Sequence, residues 1–180
     1  DTLRKLNYQP SAIARAMVNK RMQTVGILTV DIRSENYNVA AYTIERNLAL
    51  MGYSAIICNT FGNTEDNINS IRMLLDKGVS GIICIGSVFD KTFNESSILS
   101  EYSSVPFIIT NYSMEADNVC SVDFDERAGI EKVIAHLIER KHSDIFFVKD
   151  MDSASASKKE RVFLGEMLSQ GLNADKGVII

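Results

Sequence analysis

The sequence predicts an α/β fold with a parallel, doubly wound sheet. Short apolar runs alternate along the chain with segments in which apolar residues recur at helical spacing. The apolar runs are nearly continuous, which is typical of parallel strands that are buried on both faces. Glycines follow several of the helical segments, and a glycine readily adopts the left-handed conformation that ends a helix.

This alternation continues from residue 24 to the end of the chain. Strands are predicted at residues 25–30, 54–58, 81–85, 107–110, 120–124 and 144–148, and helices at residues 36–51, 64–77, 91–103, 126–141 and 157–170. We expect residues 24–150 to form one subdomain and residues 151–180 to hold a crossover and the start of a second. The expected linker lies at residues 150–157, where serine and alanine replace the strand pattern.

The composition indicates a globular protein. Hydrophobic residues make up 46% of the chain and charged residues 23%. The chain has no apolar run long enough to cross a bilayer and no signal peptide at its start, so we expect no membrane partner and a cytoplasmic location. Cys58, Cys84 and Cys120 lie singly in or beside apolar runs, and we expect them to be small buried hydrophobes in a reducing compartment.

Both ends of the sequence predict a fragment. Residues 1–6 resemble the tail of a helix whose beginning is absent, and residues 177–180 end on an apolar strand pattern.

Residues 1–23 differ from the rest of the chain in charge and in side-chain size. They carry a net charge of +4, whereas the remaining residues carry −8, so this arm would attract nucleic acid and the body would repel it. Pro10 suits the first turn of a helix, and Ile13 and Met17 are four residues apart and would share one face. A slim helix of this kind can insert an apolar side chain into the minor groove of DNA. Packing of Ile13 and Met17 against the protein's own domain is the alternative.

The arm resembles the hinge of the lactose-repressor family of bacterial transcription regulators. The matching residues are Asn7-Tyr8-x-Pro10-Ser11-Ala12-x-Ala14-Arg15-x-Met17, and they lead directly into residues 24–28, which resemble the first core strand of that family. In the family, the hinge follows a helix-turn-helix domain and precedes a core that is similar to sugar-binding proteins. The resemblance implies DNA contacts from Tyr8, Ser11, Ala14, Arg15 and Met17, with Met17 in the place of the usual leucine wedge.

The resemblance also implies partners and a ligand site. It implies a homodimer bound to operator DNA, because two hinge helices are needed to open a palindromic minor groove, and a small-molecule, sugar-like effector. Ligands of such sheets bind beyond the carboxyl ends of the strands, and at any one position there the alternative is a solvated loop residue. The resemblance places effector contacts at Asn36, Tyr37, Asp125, Ser153, Ser155, Lys159 and Arg161. Lys159 matches a position that is usually arginine, and Arg161 is close enough to substitute for it.

No catalytic motif, cofactor or metal site is predicted. The chain lacks the glycine-rich phosphate loops, the zinc-protease motif and the serine-nucleophile motif. His136 and His142 are interpreted as structural. The pair Asp123 and Asp125 could hold Mg²⁺, but no third ligand is apparent, so we interpret it as a loop or effector contact. The alternative functions are a solute-binding protein of the same core without DNA binding and, with less support, a doubly wound enzyme.

Overall fold

The computed structural model describes residues 23–149, 153–173 and 177–179. In these residues the strands are β1 (Thr24–Thr29), β2 (Ser54–Asn59), β3 (Gly81–Ile85), β4 (Phe107–Thr110), β5 (Val119–Val122), β6 (Phe147–Val148) and β7 (Val178–Ile179). The helices are α1 (Glu35–Leu50), α2 (Thr64–Asp76), α3 (Phe89–Glu95), α4 (Ile98–Glu101), α5 (Glu126–Glu139) and α6 (Ala154–Ser169). The expected hinge helix, with its DNA-contact residues, lies outside the described residues. No helix of the described ranges is long and apolar enough to cross a membrane.

The first sheet is parallel and has the order β2-β1-β3-β4-β5. Its central strands β1 and β3 are the most buried, whereas the edge strands β2 and β5 are partly exposed. Helices pack on both faces, so the predicted doubly wound α/β class is confirmed.

Two apolar clusters hold the helices against this sheet. On one face, Leu28 and Cys84 pack with Leu74 of α2 and with side chains of α3 and α4. On the other face, Ile27 packs with Ala41 and other side chains of α1. Gly26 lets α2 approach β1 closely, because a Cβ atom at that position would lie 2.6 Å from Cδ1 of Leu74.

The chain leaves the first sheet after β5. Strands β6 and β7 pair in parallel as a second, two-stranded sheet. Helices α5 and α6 pack together near this sheet around Ile134, Ile145, Phe163 and Met167. The sixth predicted strand therefore does not pair with the first sheet, and the change of sheet follows Val122 and precedes residue 150. The expected subdomain bounds stay a prediction. An apolar run predicts a strand, but it does not show which other strand is its neighbour in the sheet.

Three local expectations also need correction. The helix predicted at residues 91–103 is divided into α3 and α4, because Ser96 between them is extended (φ −126°, ψ 160°). Helix α6 begins at Ala154, inside the expected linker, with Ser153 as its cap. Of the cysteines, Cys84 is buried and Cys58 half-buried, but Cys120 is exposed. Cys120 lies on an edge strand, and its neighbour Val119 packs against the first cluster, so Cys120 faces away from that cluster.

Candidate functional site at the carboxyl ends of the strands

The carboxyl ends of β1, β3 and β4 place several polar side chains together. Gly86 follows β3 with a φ of +118°, and its backbone N–H donates to Oγ1 of Thr110 at 3.1 Å. The ring of Tyr37, at the start of α1, lies so close that a Cβ atom at Gly86 would be 2.9 Å from Cε1. Glycine is thus needed both for this backbone conformation and for the position of the Tyr37 ring.

A cavity of about 200 Å³ lies beside this end of the sheet, between the residues that follow β4 and β5, the start of α5 and the first two turns of α6. Its lining is polar or charged except for one alanine, and consists of Asn111, Tyr112, Ser113, Asp123, Glu126, Ala154, Ser155, Lys158 and Arg161. Asn111 is left-handed (φ 63°), a conformation that asparagine tolerates better than most residues, and its N–H donates to the carbonyl of Val122 at 3.0 Å. Nδ2 of Asn94 in α3 donates to the Tyr112 hydroxyl at 3.0 Å. The cavity wall is therefore anchored to the first sheet.

A buried carboxylate, Glu126, lies at the centre of the charged wall. Its side chain is only 2% exposed, and it accepts a hydrogen bond from the Ser155 hydroxyl. The ammonium groups of Lys158 and Lys159 lie 3.8 Å from its two oxygens. Lys158 also lies 3.6 Å from Oδ2 of Asp123. A buried carboxylate requires such partners, because removing one would leave an uncompensated charge.

The structure brings only some of the predicted effector residues to this cavity. Ser155 and Arg161 line it, whereas Lys159 contacts Glu126 without lining it. Asn36, which is exposed, and Tyr37 lie at the ends of β1 and β3 and are not among its lining residues.

Two predicted effector residues have a structural role. Oδ1 of Asp125 accepts from the N–H of Ala128 at 3.0 Å and caps α5, and Oγ of Ser153 accepts from the N–H of Ala156 at 3.2 Å and caps α6. Their positions at the two caps fix where both helices begin, and hence where the cavity lies.

The loops beyond the strand ends, including residues 110–114 and 123–126, were expected to form the ligand surface, but no individual role was predicted for Glu126, Lys158 or residues 111–113. A glutamate in the first turn of a helix is ordinarily solvated and favoured by the helix dipole, so nothing local indicated its burial. The adjacent lysines 158 and 159 were the available signal, since two neighbouring cations near a helix start need counter-charges.

Two ionisable side chains away from the cavity are strongly perturbed. Hydrogen bonds from Arg33 lower the pKa of the half-buried Asp31 to about 2. Burial raises the pKa of the Cys84 thiol well above its usual range. Across residues 23–149, 153–173 and 177–179, no three His, Cys, Asp or Glu side chains are arranged to hold a metal ion.

A larger groove of about 450 Å³ lies at the opposite end of the sheet. Its lining is mainly apolar and includes Val25, Leu48, Ile83, Pro106 and Ile108. Because it offers few polar groups to orient a ligand, the smaller cavity at the carboxyl ends is the better candidate site.

Comparison with known proteins identifies similar chains. Residues 23–178 match the family described as periplasmic binding proteins and sugar binding domain of the LacI family. The chain is 29% identical over 170 residues to catabolite control protein A of Staphylococcus xylosus, covering 94% of this chain and 51% of that protein. It is 31% identical over 140 residues to catabolite control protein A of Staphylococcus epidermidis, covering 78% of this chain and 42% of that protein. The chain thus spans about half the length of these relatives.

Solved structures share the fold. The lac repressor dimer bound to operator and the anti-inducer ONPF superposes with a TM-score of 0.79 at 17% identity, covering 98% of this chain and 53% of that chain. The transcription regulator CcpA of Lactococcus lactis superposes with a TM-score of 0.71 at 19% identity, covering 87% of this chain and 57% of that chain.

Proposed function

The chain belongs to the family of periplasmic binding proteins and LacI-type sugar-binding domains, and on that premise we propose that it is the effector-sensing core of a DNA-binding transcription regulator, most simply a repressor. The observation that carries this proposal is the polar cavity at the carboxyl ends of the strands. It is lined both by residues that directly follow β4 and β5 of the first sheet and by α6, which packs with the second sheet. A ligand there would contact both parts of the chain and would favour one arrangement of them over another.

The subdomain boundary is part of the proposal. We place it at residues 123–125, between β5 and the cap of α5, because the change of sheet follows Val122. The cavity then lies at the junction, with Asp123 and Glu126 next to the connecting chain. Ligand binding would alter the angle between the subdomains, and this change would alter the separation of two hinge segments in a dimer.

The DNA-binding part of the proposal rests on residues 1–23. The basic, small-residue motif with Met17 directly precedes the matched region. Of the solved structures that share the fold, one is named as a transcription regulator and another as a repressor dimer bound to operator. These names support a regulator over an enzyme, and a cytoplasmic location follows from the proposed binding to bacterial DNA.

Exposed apolar side chains support a homodimer. Val39 and Tyr42, three residues apart on α1, are 55% and 63% exposed. Ile57 on the edge strand β2 is 39% exposed, and Phe61 just beyond it is 71% exposed with a left-handed backbone (φ 55°). Such side chains on one helix and the neighbouring edge strand are typical of a surface that a second subunit covers.

Operator binding by the complete protein tests the proposal. The probe is a duplex selected by that protein from random sequences, and the variant is Met17→Ala. If Met17 is the wedge, its truncation removes a buried apolar side chain and weakens duplex binding by about tenfold or more. Met73→Ala on α2 is the matched control, since Met73 is already 38% exposed in the globular core.

The alternative, a solute-binding protein of the same core, makes the opposite prediction. In that case the complete protein selects no duplex, and Met17→Ala changes nothing. Equal duplex affinity of Met17→Ala and Met73→Ala would remove the wedge role from Met17 even if the protein does bind an operator.

A further inference from the structure

The charges around the cavity do not balance. Of the charged side chains that line the cavity, Lys158 and Arg161 are cations and Asp123 and Glu126 are carboxylates. Lys159, outside the lining, adds a third cation next to Glu126. Both lysines lie within 4 Å of a carboxylate oxygen of Glu126, and Lys158 also lies near Asp123. Arg161 lines the cavity and makes no ion pair with any part of the chain that the structure describes. Among the described residues, the Arg161 guanidinium is therefore the one charge at the cavity without an ion-pair partner.

The surroundings of Arg161 favour an anion. The guanidinium carries several N–H donors that match a carboxylate or phosphate group. Ala154 and Ser155, the first two residues of the 16-residue helix α6, line the same cavity, and N–H groups at a helix start carry partial positive charge. The Ser153 hydroxyl oxygen accepts from the N–H of Ala156, the residue after Ser155, and not from the N–H groups of Ala154 or Ser155.

The remaining wall suits hydroxyl groups. Asn111 and Tyr112 offer amide and phenol groups, and the Ser113 hydroxyl donates to Asp123 at 3.2 Å. Asp123 also provides carboxylate oxygens that can accept from a ligand hydroxyl. The cavity lining thus combines hydroxyl groups and hydrogen-bond acceptors with the guanidinium of Arg161.

We propose that the ligand of this cavity is a small polyhydroxyl compound that carries one anionic group, bound through Arg161. Glu126 acts as a positioning residue: together with Asp123 it provides counter-charges for Lys158 and Lys159, which leaves Arg161 as the cation available to a ligand. A neutral sugar would leave the Arg161 charge unmatched, which makes the site selective against it. This inference rests on the proposed function, in which the cavity is the effector site.

A sugar acid and a sugar phosphate both fit this description, and three small probes distinguish them. Glycerol, glycerate and glycerol phosphate are titrated into the full chain at constant ionic strength, and the backbone amide resonances of Ala154 and Ser155 are followed by NMR. We expect at least one anion to bind about tenfold more tightly than glycerol, as is typical of a hydrogen bond between charged groups. The tighter of the two anions identifies the group as carboxylate or phosphate.

Two variants locate the effect. Arg161→Gln should remove the preference for the anion, whereas Arg46→Gln, an exposed arginine on α1, should preserve it. Glu126→Gln should instead strengthen anion binding, because the lysines lose their counter-charge, whereas a purely structural role would weaken binding of all three probes alike.

Equal affinities for glycerol and both anions, a preference that survives Arg161→Gln, or no response of the amides to any probe would each overturn the inference. Failure of the proposed function is distinguishable. If the anion preference depends on Arg161 but anions do not alter duplex binding by the complete protein, the inference stands and the regulator proposal fails. If neutral sugars alone alter duplex binding, the regulator proposal stands and the inference fails.

Discussion

Replacing Gly86 by alanine tests how the carboxyl end of β3 holds the candidate site. Gly86 has a φ of +118°, which side chains rarely allow, and its N–H donates to Thr110. A Cβ atom would also lie 2.9 Å from Cε1 and 3.3 Å from the hydroxyl of Tyr37. The substitution therefore strains the backbone and forces the aromatic ring to move.

The two effects have different magnitudes and different consequences. A non-glycine residue in this backbone region costs about 1–3 kcal/mol of unfolding free energy. The contact with Tyr37 adds less, because the atoms concerned lie at the far end of a side chain that can rotate. For a chain of this size, a loss of about 2 kcal/mol lowers Tm by roughly 6 °C. Ring displacement should be visible as a shift of the Tyr37 resonances.

Gly165→Ala is the matched control. Gly165 lies within α6, and nothing lies within 4 Å of the position that its Cβ would occupy. Alanine in a helix interior is more favourable than glycine by about 0.5–1 kcal/mol, so this variant should raise Tm by a few degrees.

Urea unfolding and thermal melts of both variants give the comparison, with an unchanged dependence on urea showing that the same transition is measured. Opposite signs for the two glycines are expected. If Gly86→Ala is as stable as the unmodified protein and leaves the Tyr37 resonances in place, the assigned backbone conformation is refuted.

Three further outcomes are expected. The Asp31 carboxyl should titrate near pH 2 by NMR because its ionised form accepts hydrogen bonds from Arg33. Any stabilisation from this pair is therefore present above the usual carboxyl pKa and is lost as the pH falls towards 2. A titration midpoint that stays near 2 in Arg33→Ala would contradict this cause. A thiol reagent should modify the exposed Cys120 in the native protein and the buried Cys84 only after unfolding, and equal rates in native conditions would contradict the assigned burial. Asp125→Ala should lower the unfolding free energy by about 1 kcal/mol through loss of the α5 cap, whereas Asp125→Asn should retain stability, and a full loss in the asparagine variant would show that capping is not its role.

Much of the first sheet could be predicted from residue order. The runs around Ile27 and Ile83 are nearly continuously apolar, and this pattern indicates strands that are covered on both faces. The helices between them show apolar residues at helical spacing, and the observed β1, β3 and β4 begin and end within one residue of their predicted bounds. Polar side chains also meet at the carboxyl ends of the strands, where the ligand surface was expected, and ligand binding there stays a prediction.

The composition of the candidate site could be predicted only in part. Ser155 and Arg161 were selected and line the cavity, but Asp125 and Ser153 were selected for a ligand and are helix caps. Both uses require the same property, an oxygen near the start of a helix. Sequence spacing cannot show whether that oxygen accepts from the backbone or from a ligand.

The sequence by itself determined the α/β class, the order of the elements and the basic arm that precedes them, because periodicity and net charge are properties of neighbouring residues. The tertiary structure alone decided that β6 pairs with β7 and that Cys120 is exposed. It also decided that Glu126 is buried against two lysines and leaves Arg161 without an ion pair among the described residues. These outcomes depend on which side chains from distant parts of the chain meet, and electrostatic and packing energies are set by such distances rather than by separation along the sequence.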